Sequence, residues 1–359
     1  MTTPSSVFTN NPLETIDISR LDQLTADKLL NAAKSQGFMM VEGHGFTQAE
    51  VDELFQLSKT FFDLPDELKV EHAINEGNYG YTGIGTENLD ETIGDPKEAF
   101  NFAYVNLKTG KAEHKLPDLF TMPNNDVLVT NMIFKFRDTV HRVLRLLAMG
   151  LKIDSRFGGV EWFVERNDIN KPSGSALRFL HYPSPKIPSN VSLDDFMNSN
   201  RNKNVAGEHT DYGQLTRLLQ REGESGLQIL SPLSKKWENV PFVAASKKYQ
   251  DLGEAAPLIL NIGDQLSYWT DGMLKSTVHR VRLGEDMLRN GRSRYSIVFF
   301  SHPSSDTELV PVPSKIVVGG SNNGRSKRGA SYEVEKAGKP ITSMEHLQRR
   351  ISAAYGRGV

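Results

Sequence analysis

The 359-residue chain contains no cysteine. That excludes disulfides, an iron–sulfur cluster, a thiolate nucleophile and cysteine-ligated zinc or haem. It also removes any gain from an oxidising compartment. A metal would have to be held by His, Asp or Glu, and nine histidines are present. Charge of one sign is lacking as well: 42 Lys and Arg against 44 Asp and Glu leave −2. A near-neutral chain has no electrostatic reason to seek nucleic acid or an anionic membrane. No run reaches 18 apolar residues, so no membrane span is expected. The first twenty residues show neither a basic n-region nor an apolar h-region, so no signal peptide is expected and the cytoplasm is the default location. Without a secretory route the Asn190-Val191-Ser192 acceptor pattern has no use. Neither G-x-x-x-x-G-K-[ST] nor G-x-G-x-x-G fits the Gly-rich stretch 74–96, which reads as a loop and not a phosphate cradle.

What is present is ordinary globular composition, 38% hydrophobic and 24% charged, in a length that admits one large domain or two. Thr15-Ile16-Asp17-Ile18 alternates like a short strand. Residues 25–36 read as a helix stopped by Gly37, and Phe38–Val41 as a buried strand. Thr47 and Glu50 have capping-box spacing before the apolar face Val51, Leu54, Phe55, Ser58, Phe61 and Phe62. Asn125–Leu151 is the longest helical segment, with Val129, Ile133, Phe136, Val140, Val143 and Leu147 at three- and four-residue steps. After about residue 172 the period moves toward two. Strands are expected at Leu177–Tyr182, Gln214–Leu219, Leu227–Leu230, Leu258–Ile262, Gln265–Trp269, Thr277–Arg282 and Arg294–Ser301. Turn residues separate many of them, which suggests a sandwich or jelly roll. Residues 318–330 read as an exposed loop and 343–355 as an amphipathic helix carrying Leu347, Ile351 and Ala354. Helices first and strands second, without a linker, predict one α+β unit with helices packed outside a β-core.

The sharpest local pattern is His209-Thr210-Asp211. In extended chain, positions i and i+2 share a side, so an imidazole and a carboxylate converge. Such a pair suits a borderline divalent metal. The best third ligand is His279, seventy residues on, in the strand-like Ser276–Val281. Two His and one carboxylate on one face of a metal leave positions open for substrate and dioxygen. An H-x-D tripeptide alone says little; the downstream Arg294-Tyr295-Ser296 adds weight. Arg294 and Ser296 share parity, and an Arg beside Ile297, Val298, Phe299 and Phe300 is costly to bury unpaired. Its guanidinium either clamps a ligand carboxylate with two parallel hydrogen bonds or closes an internal salt bridge.

These motifs, in this order, resemble the iron(II)- and 2-oxoglutarate-dependent dioxygenases of the isopenicillin N synthase-like group. The resemblance runs through Ile16-Asp17-Ile18, Gly37-Phe38, Gly43-His44-Gly45 and Phe61–Pro65. It continues through Leu177–Pro183, His209–Gly213, Leu260–Asp264, Lys275–Val281 and Arg294–Ser296. It implies a double-stranded β-helix (jelly-roll, cupin-like) core flanked by helices. It implies Fe(II) on His209, Asp211 and His279, with 2-oxoglutarate chelating that iron and O2 as oxidant. The far carboxylate of 2-oxoglutarate would meet Arg294 and Ser296, and Tyr182 aligns with a tyrosine that often bonds the same group. Leu180 stands where many relatives carry Asn. The fifteen-residue step from His279 to Arg294 exceeds the usual spacing, so Leu283–Arg292 is expected to form an extended hairpin loop.

The expected reaction oxidises a C–H bond of a small molecule by hydroxylation, desaturation or ring formation, with release of succinate and CO2. Aromatic Tyr79, Tyr81, Phe100 and Phe102 from the N-terminal region, and Phe300 and His302 from the core, are candidate substrate contacts. His181 alternates with Tyr182 and should point away from the metal. Residues 1–13 are expected as a flexible tail, 14–125 as an N-terminal dioxygenase region and 126–172 as a spine helix and connection. Residues 173–305 form the Fe(II)/2-oxoglutarate β-core and 306–359 a C-terminal loop and helix, all in one unit, monomeric or weakly self-associating. The last helix either covers a core edge or closes the barrel mouth. Two alternatives stand: an oxidase of this fold that uses no 2-oxoglutarate, and a non-catalytic jelly-roll module. The second is disfavoured by the open three-ligand set, since a closed structural zinc site needs four.

Overall fold

Apolar residues at three- and four-residue steps must lie on one helical face, and the segment Pro123–Gly150 buries Val129, Ile133, Phe136, Val140, Val143 and Leu147 on that face of a single helix. At 1.5 Å per residue it spans about 42 Å. Thr47 and Glu50 form the reciprocal capping box that their spacing predicts, at the start of the helix Gln48–Phe62. The computed structural model describes residues 11–355 apart from 76, 88–94, 186, 188, 193–194, 196–204, 220 and 321–329.

The strands in chain order are β1 (Thr15–Asp17), β2 (Phe38–Glu42), β3 (Gly80–Thr82), β4 (Glu98–Phe102), β5 (Val105–Asn106), β6 (Lys111–Ala112) and β7 (Ala176–Tyr182). They continue with β8 (Ala206–His209), β9 (Leu215–Leu219), β10 (Leu227–Leu230), β11 (Trp237–Asn239), β12 (Leu258–Ile262), β13 (His279–Val281) and β14 (Arg294–Ser301). Eight form one sheet in the order β1-β2-β12-β9-β14-β7-β4-β3, and four form a second in the order β11-β10-β13-β8. The sheets make a jelly-roll core without joining into a closed barrel. Strand alternation divides the large sheet's two faces. Leu177, Phe179, Leu215, Leu260, Ile297 and Phe299 point into one apolar cluster with the spine helix, where Phe136 stacks on Phe299 at 5.2 Å. Leu180, Tyr182, Leu218, Ile259 and Val298 point the other way, toward Ala206, Leu227, Ile229 and Val281 of the small sheet. The strands of the large sheet are therefore buried on both faces, and their runs read as near-continuous apolar sequence.

Several expectations are corrected. Gln265–Trp269 is not a strand but part of the helix Asp264–Trp269. Its short apolar run fits either period, and extended Gly263 caps a turn that buries Leu266 and Trp269 three residues apart. The expected hairpin loop Leu283–Arg292 contains the helix Glu285–Arg289, anchored by buried Met287 and Leu288. The Gly-rich stretch 74–96 contributes strand β3. Of the expected loop 318–330, residues 318–320 end the helix Lys315–Gly320, residue 330 opens another, and 321–329 lie outside the described residues. The expected tail 1–13 ends in a buried Leu13, and its first ten residues lie outside the described ones.

Gly37 is where backbone geometry excludes a side chain. It has φ +68, and a Cβ there would lie 2.0 Å from the Lys275 carbonyl oxygen. Gly37→Ala should lose the roughly 1–2 kcal/mol of a left-handed non-glycine residue plus the cost of displacing that carbonyl. Gly253, at φ +70 with open space around it, isolates the backbone part. Denaturant midpoints should fall further for Gly37→Ala than for Gly253→Ala; equal losses would show that the Lys275 segment yields freely.

Candidate active site

His209 ends β8 and His279 begins β13. The antiparallel register pairs them directly, with ring centroids 4.2 Å apart. Asp211 lies just past the end of β8, where the Asp264 N–H donates to its carbonyl at 2.7 Å. Its Oδ1 is 3.8 Å from His209 Nε2 and 3.6 Å from His279 Nε2. One ligand atom from each of the three residues lies within 4.8 Å of the others. Outer contacts orient all three. His209 Nδ1 lies 2.7 Å from the Gly207 carbonyl and His279 Nδ1 lies 3.1 Å from the Thr277 carbonyl. With Nδ1 donating, each Nε2 turns its lone pair to the centre. Asn261 Nδ2 donates to Asp211 Oδ2 at 2.8 Å, leaving Oδ1 to face the imidazoles.

Burial works against every charge here, and the neighbours decide the outcome. Burial alone would raise the Asp211 pKa. His279, His209 and the Asn261 amide outweigh it and hold the carboxyl well below the usual range. Burial and the adjacent His279 lower the His209 pKa to about 4. Burial would also lower that of His279, but the Asp211 charge and hydrogen bond raise it. The donor set, two neutral-capable imidazoles and an ionised carboxylate, fits a borderline divalent cation such as Fe(II).

Register also places the second group. Arg294 stands opposite Tyr182, and Ser296 opposite Leu180. Arg294 is fully buried and its guanidinium lies 5.0 Å from the Tyr182 ring centroid. Nη1 donates to Ser296 Oγ at 3.2 Å and Nε to the Glu224 carbonyl at 3.3 Å, while Nη2 is buried with no partner among the described residues. A buried guanidinium nitrogen without an acceptor is what a ligand carboxylate would satisfy. Leu180, in place of a polar residue, gives this end an apolar wall.

A cavity of about 190 Å³ joins the two groups and is lined by His209, Asp211, His279, Arg294, Ser296 and Tyr182. Phe300 and His302 line it as well, Phe300 being six residues along β14 from Arg294, about 20 Å at a strand's rise. Burial lowers the His302 pKa to about 4, so it is neutral at pH 7. Tyr79 and Phe102 are not in the cavity. Tyr79 stacks on His114 at 4.2 Å, and Phe102 packs against Phe120 and Phe179 at 4.7 and 5.1 Å. Tyr81 and Phe100 likewise belong to the helix-side cluster. The cause is parity: on β4, Ala99 and Asn101 pair with Leu180 and Arg178 on the cavity face, which sends Phe100 and Phe102 to the other. His181 points away, bonded to Glu98 at 2.7 Å and stacked on Tyr295 at 4.5 Å.

Two features escaped the sequence. Asn261 was visible only as a polar residue inside Leu260–Ile262, a signal for a buried hydrogen bond without a partner's name. The cavity wall also carries a chain of alternating charge. Arg178 pairs with Glu87, Glu87 with Lys97 at 3.3 Å, and Lys97 with Asp95. Burial opposes the Glu87 charge, but Arg178 and Lys97 lower its pKa to about 2. Asp95 and Lys97 are two residues apart, but nothing local marks Glu87 or Arg178 as their neighbours.

Comparison with known proteins agrees with this geometry. Residues 174–303 match the 2OG-Fe(II) oxygenase superfamily, and residues 13–124 match the N-terminal region described as non-haem dioxygenase in morphine synthesis. The chain belongs to the 2OG-Fe(II) oxygenase superfamily. The UPF0676 protein C1494.01 of Schizosaccharomyces pombe is 30% identical over 95% of this chain and 92% of its own length. Homoarginine-6-hydroxylase 2-ODD-C23 of Glycine max is 27% identical over 89% of each. The crystal structure of a full-length Neurospora crassa protein in complex with alpha-KG superposes with a TM-score of 0.70 at 25% identity, covering 94% of this chain and 95% of that one. The oxygenase is thus an oxidoreductase that uses Fe(II), 2-oxoglutarate and O2 to oxidise a C–H bond. Among its described residues no helix is long and apolar enough to cross a membrane.

Replacing Asn261 by Ala removes the only side-chain hydrogen bond to Asp211 Oδ2 among the described residues. Loss of such an outer contact typically weakens metal binding about 10- to 100-fold. Titration of the metal-free oxygenase with Fe(II) under anaerobic conditions should show that drop. Unchanged affinity would mean that the imidazoles alone orient the carboxylate.

Proposed function

We propose that His209 and His279 bind Fe(II) through Nε2 and Asp211 through Oδ1. In this reading Arg294, Ser296 and Tyr182 receive the far carboxylate of 2-oxoglutarate, and a small molecule enters the end of the cavity lined by Phe300 and His302. The observation that carries it is the pairing, in one buried cavity, of a three-donor cluster within 4.8 Å with a guanidinium whose Nη2 has no partner among the described residues. Bound iron supplies activation of dioxygen coupled to decarboxylation of 2-oxoglutarate to succinate and CO2. The chain's own residues do the rest. Arg294 fixes the cosubstrate by a forked, charge-assisted contact, with Ser296 as its neighbour. His279 and His209 keep Asp211 ionised, and Asn261 adds to this while orienting the carboxylate. The apolar walls Leu180, Leu218 and Val298 keep water from the cosubstrate. Neutral His302 offers the substrate a hydrogen-bonding group without adding charge. The product is a hydroxylated, desaturated or cyclised small molecule. Action in the cytoplasm belongs to the same reading and accords with the cysteine-free composition; a monomer or weak homo-oligomer is part of it too.

Arg294→Ala tests it. Removing a charged partner from a desolvated site costs roughly 2–5 kcal/mol, which is about 30-fold or more in the apparent 2-oxoglutarate constant. Fe(II) stoichiometry should stay at one. Succinate should form in step with O2 consumed by the unsubstituted enzyme. An unchanged cosubstrate constant would return Arg294 to a structural role, and oxygen uptake without succinate would favour the oxidase that needs no 2-oxoglutarate.

A further inference from the structure

The C-terminal helix Ser343–Tyr355 does more than cover a core edge. Leu347 and Ile351, one turn apart, line the cavity itself. Leu347 reaches in so far that a Cβ on Gly174 would lie 2.7 Å from its Cδ2. The first turn is fixed to the core where Gln265 Nε2 donates to Ser343 Oγ at 2.9 Å, and it is capped locally where Glu345 accepts from the Thr342 N–H at 2.7 Å. Farther along, the polar tie is Arg350, and it goes to the metal-ligand loop. Its Nη2 is 2.7 Å from Asp264 Oδ2 and 3.3 Å from Oγ1 of Thr210, the residue between His209 and Asp211. The guanidinium also lies 5.4 Å from the Tyr212 ring centroid. Asp264 is a junction. Its Oδ2 accepts from Thr210 Oγ1 at 2.9 Å, its Oδ1 accepts from Ser276 Oγ at 2.7 Å, three residues before His279, and its N–H bonds the Asp211 carbonyl.

We propose that Arg350 is a positioning residue that fastens the roof of the substrate chamber, Leu347 and Ile351, to the loop carrying His209 and Asp211. This rests on the reading of that triad as the iron site. A substrate has to pass the roof, and lifting the helix withdraws Arg350 from Asp264 and Thr210 together. Arg350 is 41% exposed and its partner Asp264 16%, so the tie is a weak one suited to repeated opening. Closure restores the same contacts, so the metal loop reaches its full set of hydrogen bonds only when the chamber is shut and dry. Lys at this position reaches Asp264 as a point charge but cannot also spread a planar group over Tyr212.

The test uses the full chain loaded anaerobically with Fe(II) and 2-oxoglutarate, then exposed to O2 without any primary substrate. For Arg350→Ala, amide hydrogen exchange in residues 343–352 should rise about two- to fivefold. Succinate formed without substrate should rise about threefold or more as the chamber opens to solvent. The visible absorption of the Fe(II)–2-oxoglutarate chelate should persist, and Arg350→Lys should fall between Ala and the natural residue on both measures. Wild-type exchange in Arg350→Ala would overturn the proposal, as would faster exchange with unchanged succinate, which makes the contact purely structural. Absence of the chelate absorption from the unsubstituted enzyme would instead defeat the iron and 2-oxoglutarate reading beneath it.

Discussion

Asp211 is a carboxylate buried between two imidazoles, and the rest of the site is organised to keep it ionised there. A buried carboxylate with no cation or donor would take up a proton and cease to be a useful ligand. His279 and His209 lie within 4 Å of its Oδ1, and Asn261 holds Oδ2. Each partner is fixed in turn: the imidazoles by carbonyls of Gly207 and Thr277, and the backbone of Asp211 by the Asp264 N–H. Asp264 extends the network to Thr210, Ser276 and Arg350. The loop of Thr210 and Asp211, the segment leading into His279 and the last helix thus share one carboxylate at their junction.

The two-sheet architecture supplies what such a network requires. Because both faces of the large sheet are buried, alternate residues serve different ends. On β14, Tyr295, Ile297 and Phe299 hold the helices, while Arg294, Ser296, Val298 and Phe300 face the cavity. Polar groups can therefore be spaced along one strand in a stable apolar frame. In the proposed complex the cosubstrate end and the substrate end would differ by position along β14, not by separate domains. Burying Arg294 with no partner for Nη2 among the described residues is a cost that core packing must offset, and the 2-oxoglutarate carboxylate of the proposed complex would remove it.

Much of this was legible in the sequence because period-two parity on a strand is a direct geometric statement. It separated His181 from Tyr182 and grouped Arg294 with Ser296, as the structure does. The long helix and the Thr47 capping box follow from 3.6-residue periodicity and local hydrogen-bonding chemistry. Failures came where two periods fit one run, as in Gln265–Trp269, or where a strand's phase was unknown. Nothing local in Glu98–Phe102 says whether Phe102 or Asn101 faces inward; pairing with β7 decides it. In the chain of Arg178, Glu87, Lys97 and Asp95, Asp95 and Lys97 are near in sequence, but Arg178 on β7 meets Glu87 only through the fold. Asn261 needed Asp211 in view before its role had meaning. The C-terminal helix was readable as amphipathic, but that it lines the cavity as well as covering a core edge was a tertiary fact.

The central claim is that one cavity holds a metal on His209, Asp211 and His279 and a carboxylate on Arg294. A crystal structure of the protein grown without oxygen in the presence of Mn(II), as a redox-inert substitute for Fe(II), and 2-oxoglutarate tests it directly. One metal should be bonded to both Nε2 atoms and to Asp211, with the far carboxylate of 2-oxoglutarate on Arg294 Nη2. A metal bound elsewhere, or 2-oxoglutarate seated away from Arg294, would contradict it.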